Sequence, residues 1–285
     1  MNAAIKVHVP YAEYAKLPGT NISALKELRR SPLHYKHRLT NSKETEPMRL
    51  GTAAHVAVLE PDRFDATYAT WGERTDSGRM RPRNGKLYDA FASANAGREI
   101  LTEDQQIDAM AMQSAVRGCD AAMVYLRHGD PEVTINWTDA HSGRPCRGRV
   151  DWLTQVDGMP VLVGLKTSRD CRPFIFGSQA AKLSYHLQWA FYHDGYEAIT
   201  GKSAKVVEIV VESAAPHDVA VYVVPSDVIE QGREEYRELL DLLAECERNK
   251  NWPGAVPNET LVSLPSWVYA EDDDVADLGL EGFDQ

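Results

Sequence analysis

Hydrophobic positions recur at helical spacing in the first part of the chain. This spacing predicts helices over residues 21–30 and 48–59, and a third over residues 103–127 with a break at Gly118. Residues 62–86 are polar and contain several glycines and arginines. We predict that they form a mobile basic loop.

The pattern then changes to the alternation of apolar and polar residues that is typical of strands. Three consecutive strands and the turn Asp157-Gly158 between the last two predict an antiparallel meander. The predicted strands cover residues 132–137, 148–156, 161–166, 205–212 and 218–224, and the predicted helices that follow the meander cover residues 185–199 and 226–250, the latter capped by Ser226. This order predicts an α/β fold with a central mixed β-sheet flanked by helices.

The Asp157-Gly158 hairpin brings charged residues onto one face of the sheet. A two-residue turn places Asp151 opposite Gly164, and alternation puts Lys166 and Arg149 on the same face. The strand Val161-Leu-Val-Gly-Leu165 is apolar on both faces, as buried strands are, so charges next to it require a partner or an ion. Asp151 and Lys166 together could therefore bind a divalent cation that polarises a water molecule. The alternative is a simple solvated ion pair.

These residues resemble the catalytic motif of the PD-(D/E)XK, or restriction-endonuclease-like, nucleases. Within that superfamily the chain is similar to the RecE (exonuclease VIII) nuclease domain and its phage relatives, over roughly residues 20–270. The segments that carry the resemblance, in order, are Ser23-Ala-Leu-Lys, Ser31-Pro-Leu-His-Tyr35, Gly51-Thr-Ala-Ala-His55, Leu59-Glu-Pro61, Gly148-Arg-Val-Asp151, Leu165-Lys-Thr167 and Gln188-Trp-Ala-Phe-Tyr192.

The resemblance implies an activity and its partners. It implies an exonuclease that uses Mg²⁺ or Mn²⁺ to digest one strand of linear double-stranded DNA in the 5′→3′ direction. The 3′ overhangs would pass to a RecT-like single-strand-annealing protein. It also implies a ring-shaped homo-oligomer, a trimer or a tetramer, that encloses the duplex.

The same resemblance implies roles for individual residues. His55, Asp151 and the backbone carbonyl of Leu165 would bind the metal, and Lys166 would orient or activate the attacking water. Residues expected to border the site or contact DNA are Gln188, Tyr192, Arg149, Thr167, Arg79 and Arg81. Three alternatives stay open: a packed histidine at 55, a core tyrosine at 192, and arginines that are merely solvated.

Position 164 departs from the motif, which has a second carboxylate two residues before the lysine. Gly164 offers no side-chain ligand, and Mg²⁺ prefers an octahedral shell of oxygen atoms. We therefore expect catalysis to be weakened or absent, through natural loss or engineering. Two alternatives are that Glu132 or Asp170 completes the site, or that the chain is a non-catalytic module that binds DNA ends and recruits a recombination partner.

Composition and charge limit these expectations. With 43% hydrophobic and 26% charged residues, the chain is predicted to form one globular domain over residues 1–270. The net charge of -11 argues against nucleic-acid binding, but residues 271–285 contain seven acids and no Lys or Arg. We predict that this tail is disordered, while positive charge concentrates at residues 29–38 and 74–86.

The four cysteines and the N-terminus exclude other classes. No two cysteines have the C-x-x-C spacing of zinc sites and iron–sulfur clusters, so we expect reduced thiols and no cluster. The chain shows neither a signal peptide nor an apolar run of membrane-spanning length. We therefore expect a cytoplasmic protein without a membrane partner.

Overall fold

A mixed six-stranded sheet forms the centre of the protein, whose computed structural model describes residues 3–7, 9–41 and 46–264. The strand order is β1-β4-β5-β6-β7-β8, and only β6 and β7 pair in parallel within it. The strands of this sheet are β1 (Ala4–Lys6), β4 (Asp130–Thr138), β5 (Pro145–Val156), β6 (Met159–Ser168), β7 (Lys205–Glu212) and β8 (Val219–Val223). The predicted α/β class with a central mixed sheet is confirmed.

Helices cover both faces of this sheet, and a parallel pair, β2 (Tyr68–Trp71) and β3 (Glu99–Thr102), lies outside it. The helices are α1 (Tyr11–Tyr14), α2 (Ile22–Leu25), α3 (Pro32–Thr40), α4 (Glu46–Leu59), α5 (Phe64–Thr67), α6 (Gly85–Ala94), α7 (Glu103–Gly118), α8 (Asp120–Leu126), α9 (Pro173–Leu183), α10 (Tyr185–Thr200) and α11 (Ser226–Asn249). Short 3₁₀ segments cover Lys26–Arg29 and Pro61–Arg63. No helix in the described ranges is both long and apolar enough to cross a membrane.

The two faces of the sheet contribute to separate hydrophobic cores. One core packs β4–β7 against α2, α10 and α11, around buried Trp137, Phe191 and Tyr236. The other packs β6 and β7 against α4, α7 and α8, around buried Leu165 and Ile209. β6 and β7 are therefore covered on both faces, which explains their almost uninterrupted apolar sequences.

The predicted hairpin forms with the predicted register. Asp157 and Gly158 both have positive φ angles, as a tight turn between two twisted strands requires. The antiparallel ladder runs from Val156↔Met159 to Trp152↔Val163. It therefore ends one residue before Asp151 and Gly164, and the Asp151 carboxylate lies where the two strands separate.

Several local predictions need correction. Residues 62–86 are not one loop, because α5 and β2 form within them and bury Phe64, Tyr68 and Trp71. Only residues 72–84 connect elements there. Ser226 is the first residue of α11, and Pro225 is its N-cap. The predicted helix over 21–30 is a short α-helix capped by Asn21, followed by a 3₁₀ segment.

Some elements were absent from the predictions, and one part of the chain lies outside the structure described. The predictions contained neither α3, which Ser31 caps, nor α9. The break at Gly118 is confirmed by the start of α8 at Asp120. The acidic tail, residues 271–285, lies outside the described residues, and the single domain over 1–270 stays a prediction.

Candidate active site at the end of the β5–β6 ladder

The centre of the site is an ion pair between β5 and β6. Asp151 Oδ2 accepts hydrogen bonds from the backbone N–H of Leu165, at 2.9 Å, and from Lys166 Nζ, at 3.2 Å. Only 14% of each side chain is exposed. The pair forms because the ladder ends here and leaves the Leu165 N–H available to a side chain. The predicted proximity of Asp151 and Lys166 is thus found in the structure.

Glu208 on β7 is a second carboxylate in this cluster. β6 and β7 pair with Gly164 next to Glu208, and Glu208 Oε1 lies 3.5 Å from Lys166 Nζ. The Trp189 indole N–H donates a hydrogen bond to Glu208 Oε2. Among the described residues, Oε1 is buried without a hydrogen-bond partner, and the residue is 1% exposed.

The missing side chain at Gly164 creates the room for this carboxylate. A Cβ added to Gly164 would lie 2.4 Å from Glu208 Oε1 and 2.6 Å from Oε2. Such distances are well inside van der Waals contact, so Glu208 occupies the space that a side chain at 164 would use. A cavity of about 20 Å³ remains between Gly164, Asp151, Lys166 and Glu208, which is room for one water molecule or ion.

His55 reaches the cluster from α4, on the other side of the sheet end. Its ring lies next to the Leu165 backbone and interacts electrostatically with Asp151. Burial lowers the pKa of His55, while Asp151 raises it by a smaller amount. The neutral imidazole that burial favours is the form that binds metals. The structure therefore places His55, Asp151 and the Leu165 backbone together, as predicted.

The charges of the cluster depend on one another. Burial works against a charged Lys166, but Asp151 and Glu208 raise its pKa well above its usual value, so the ammonium stays charged. Burial also works against a charged Asp151, but Lys166 and His55 hold its pKa below the usual value. At Glu208, burial dominates and raises the pKa. Two carboxylates thus share one lysine.

Gln188 and Tyr192 border the cluster from one face of α10. Both side chains line the small cavity next to Asp151 and Gly164. Burial, followed by the charge of Asp151, raises the pKa of Tyr192. The predicted position of both residues beside the site is found in the structure.

Arg149 is held in an ion pair. Its Nε lies 2.5 Å from Glu132 Oε2, and its guanidinium stacks on the rings of Tyr11 and Tyr14, at 5.4 and 5.8 Å. Burial, followed by the charge of Asp151, raises the pKa of Glu132 to about 7. Glu132 is therefore a neighbour of the site, but its carboxylate is paired with Arg149.

Asp170, the other carboxylate considered as a replacement for residue 164, has a separate partner. Its two oxygens accept hydrogen bonds from Arg172, whose Nη2 lies 2.5 Å from Oδ2. This ion pair keeps the pKa of Asp170 below its usual value. The structure thus brings Glu208, rather than Asp170, to Gly164.

The remaining predicted residues lie further from the centre. Thr167 faces α4, where a Cβ on Gly51 would be 3.4 Å from its Oγ1. Arg79 and Arg81 belong to the connection over residues 72–84, and Arg81 Nε donates to the Arg74 backbone carbonyl. None of the contacts recorded for the described residues joins either arginine to the Asp151 cluster.

A different basic group lies beside the site. Arg29 donates a hydrogen bond to Ser184 Oγ at the junction of α9 and α10, and Lys26 Nζ donates to the Leu183 carbonyl. The next residue, Tyr185, has its ring 5.6 Å from Lys166 Nζ. The start of the predicted basic segment 29–38 therefore reaches the edge of the site, although the sequence could not show this.

The sequence predictions did not include Glu208 or Trp189 in the site. A signal for Glu208 existed, because it is the single charged residue inside the apolar run of β7, Val206-Val-Glu-Ile-Val-Val211. A buried carboxylate at such a position needs a partner. Its partners, however, come from β6 and α10, and only the strand pairing identifies them.

His193, Asp194 and Glu197 form a second group of side chains with metal-ligand chemistry, on α10. Asp194 accepts hydrogen bonds from Arg233, at 2.6 and 2.7 Å, and from Tyr236, at 2.6 Å. These bonds tie α10 to α11. We assign this group to the packing of the two helices rather than to the active site.

Comparison with known proteins places this geometry in a family. The model of a PDDEXK-like domain of unknown function (DUF3799) matches residues 21–259. No curated protein sequence matches the chain. A protein from Eubacterium rectale, provisionally named an exonuclease, has a similar structure, with a TM-score of 0.60 and 10% identity over 95% of this chain and 99% of that one. At this identity, the similarity concerns the fold.

Two further solved structures are much less similar. SSO0001 has a TM-score of 0.28 and 14% identity, over 76% of this chain and 84% of that one. Protein VC1899 from Vibrio cholerae has a TM-score of 0.22 and 11% identity, over 87% of this chain and 60% of that one. The family match covers most of the chain and agrees with the resemblance to RecE-like nucleases. The chain therefore belongs to the PDDEXK-like family, and its fold is that of the PD-(D/E)XK nucleases.

Proposed function

We propose that this protein is a divalent-metal-dependent nuclease that acts on DNA. The observation that carries the proposal is the Asp151–Lys166 pair at the end of the β5–β6 ladder, with His55 and the Leu165 backbone beside it. A buried acid–lysine pair at the point where two strands separate, in a PDDEXK-like fold, is the arrangement that this chemistry needs.

The side chains present fit a hard divalent cation. His55, Asp151 and the Leu165 carbonyl offer nitrogen and oxygen donors, and the buried Glu208 Oε1 without a hydrogen-bond partner supplies negative charge beside them. Bound Mg²⁺ or Mn²⁺ lowers the pKa of a water molecule and stabilises the negative charge that develops on the phosphate. PDDEXK nucleases typically depend on such ions.

Lys166 acts in this scheme as a charged donor. Because Asp151 and Glu208 keep its pKa high, its ammonium orients a water molecule or a phosphate oxygen by hydrogen bonding and does not remove a proton. Asp151 keeps the ammonium in place through the 3.2 Å contact. Gln188 and Tyr192 close the neighbouring edge of the site.

In its specific form, the proposal is a RecE-like exonuclease. It digests linear double-stranded DNA in the 5′→3′ direction, acts as a ring-shaped trimer or tetramer, and supplies 3′ overhangs to a RecT-like annealing protein. The support is the ordered set of RecE-like segments in the sequence and the basic residues Lys26 and Arg29 at the edge of the site. Contacts of such residues with phosphates would make DNA binding salt-dependent.

One observation favours a second candidate function. Gly164 lacks the motif carboxylate, which is the basis for predicting weak or absent catalysis and a module that only binds DNA ends. That prediction assumes that no other carboxylate takes the position of the missing side chain. Because the Glu208 carboxylate lies next to Gly164, the experiment must test whether Glu208 takes that position.

A digestion assay distinguishes the two functions. Linear and circular duplexes, labelled at the 5′ or the 3′ end, are incubated with the protein in Mn²⁺, Ca²⁺ or EDTA. We expect Mn²⁺-dependent release of nucleotides from the 5′ ends of linear DNA, and none with Asp151→Asn. Asp170→Asn, with its carboxylate outside the cluster, is the matched control and keeps the activity. DNA binding without any cutting in Mn²⁺ would favour the binding module.

A further inference from the structure

We infer that Glu208 supplies, from β7, the second metal-binding carboxylate that Gly164 lacks on β6. This inference rests on the proposed metal-dependent function and assigns a ligand that the motif does not contain. Its basis is that the Glu208 carboxylate lies where the side chain of residue 164 would project.

The strand pairing explains how Glu208 reaches this position. β6 and β7 are parallel with Gly164 and Glu208 adjacent, so both residues face the same side of the sheet. Adjacent strands are about 4.8 Å apart, a distance that a glutamate side chain can span when it leans across its neighbour. It can lean this way only over a glycine, because any Cβ at 164 would lie within 2.7 Å of three carboxylate atoms of Glu208.

The hydrogen bonds at Glu208 leave one oxygen for another partner. Trp189 donates to Oε2 and fixes the orientation of the carboxylate. Oε1 then faces Lys166, at 3.5 Å, and has no hydrogen bond within the described part of the chain. In a fully buried carboxylate, an oxygen whose contact is the Lys166 ammonium at 3.5 Å, a cation shared with Asp151, is stabilised further when an ion or a water completes it.

The space and charge at this point suit a cation. The cavity of about 20 Å³ has room for one ion or water; Asp151, Lys166 and Glu208 line its polar side, and Val150, Leu162, Val163 and Val206 line the rest. Two carboxylates and one lysine leave a net negative charge there when both acids are ionised. Glu208 on β7 thus takes the place of the carboxylate that residue 164 on β6 lacks. The glycine leaves the space that the Glu208 side chain occupies.

Metal binding by the protein tests the inference without an activity assay. Mn²⁺ is titrated calorimetrically into the unsubstituted protein and into the variants Glu208→Gln, Asp151→Asn and Glu212→Gln. Glutamine has the same size as glutamate and can still accept the Trp189 bond. Glu212, on the same strand and the same face, is the matched control, because its carboxylate bonds the Cys171 N–H instead. Urea unfolding confirms that each variant is folded.

We expect Glu208→Gln to weaken Mn²⁺ binding roughly tenfold or more, and Glu212→Gln to leave it unchanged. The double variant Gly164→Asp with Glu208→Ala returns the carboxylate to β6 and is expected to recover most of the affinity. If Glu208→Gln binds Mn²⁺ like the unsubstituted protein while Asp151→Asn does not, the assignment of Glu208 is overturned and the proposed function stands. If Asp151→Asn also binds normally, the proposed metal site itself is wrong.

Discussion

The ring of Tyr192 lies directly against the backbone of Gly148, so that a Cβ at residue 148 would be 2.7 Å from Tyr192 Cε1. This close approach allows the α10 tyrosine to reach the Asp151 region between β5 and the helix layer. Gly148→Ala is therefore expected to displace Tyr192, to lower the free energy of unfolding by about 1–3 kcal/mol and to reduce DNA cutting.

Urea unfolding and the digestion assay measure these two effects. Gly177→Ala is the matched control, because nothing lies within 4 Å of a Cβ at that position of α9. An alanine there should leave cutting unchanged and should not destabilise the helix. A Gly148→Ala protein as stable and active as the natural one would show that the Tyr192 ring has room to move.

Gly164 and Glu208 are expected to be coupled energetically. Gly164→Ala alone places a methyl group 2.4 Å from Glu208 Oε1 and should destabilise the protein by about 1–3 kcal/mol. In a Glu208→Ala background the same change should cost much less, because the clash is gone. Unfolding free energies of the four proteins give the coupling; equal costs in both backgrounds would argue against the close contact.

Lys166 is the cation that the two carboxylates share. Lys166→Met removes the charge at similar size, so we expect DNA cutting to be lost and the metal-free protein to be destabilised by about 3 kcal/mol. Mn²⁺ should then raise the melting temperature of this variant more than that of the unsubstituted protein, because the cation replaces the missing ammonium. Equal shifts in thermal unfolding would contradict this account of the charges.

Asp194 links α10 and α11, and its ionisation should make the free energy of unfolding depend on pH in the acidic range. Burial opposes its ionisation, but hydrogen bonds from Arg233, His193 and Tyr236 hold its pKa well below the usual value. A depressed carboxyl pKa contributes stability that is complete above about pH 4 and is lost as the pH falls towards the folded-state pKa.

The matching variant is Asp194→Asn, whose unfolding in urea is measured at pH 7 and at successively lower pH. At pH 7 we expect it to be about 3 kcal/mol less stable than the unsubstituted protein, since Arg233 loses a buried partner. The difference should shrink below about pH 4, where the Asp194 carboxyl of the unfolded chain takes up a proton while that of the folded protein is still ionised. A difference that does not change with pH would mean that the pKa of Asp194 is the same in the folded and the unfolded protein.

Local features of the chain were predictable because local physics determines them. The alternation of apolar residues and the Asp157-Gly158 turn fix the β5–β6 register, and from it the proximity of Asp151 and Lys166 follows. Predictions failed where short elements depend on packing. Residues 64–71 form α5 and β2 because Phe64, Tyr68 and Trp71 are buried against other parts of the fold. Their own sequence carries these aromatic residues, but the polar residues and glycines that follow them dominate the segment 62–86.

The site divides in the same way. The sequence by itself determined the motif residues Asp151 and Lys166, the helix that carries His55, and the absence of a carboxylate at Gly164. Only the tertiary structure decided that Glu208 lies beside that glycine, because the crossover through α9 and α10 does not encode the register between β6 and β7. In a parallel pair, the packing of both sheet faces sets which residues become neighbours, and here it places a buried carboxylate next to the one position without a side chain.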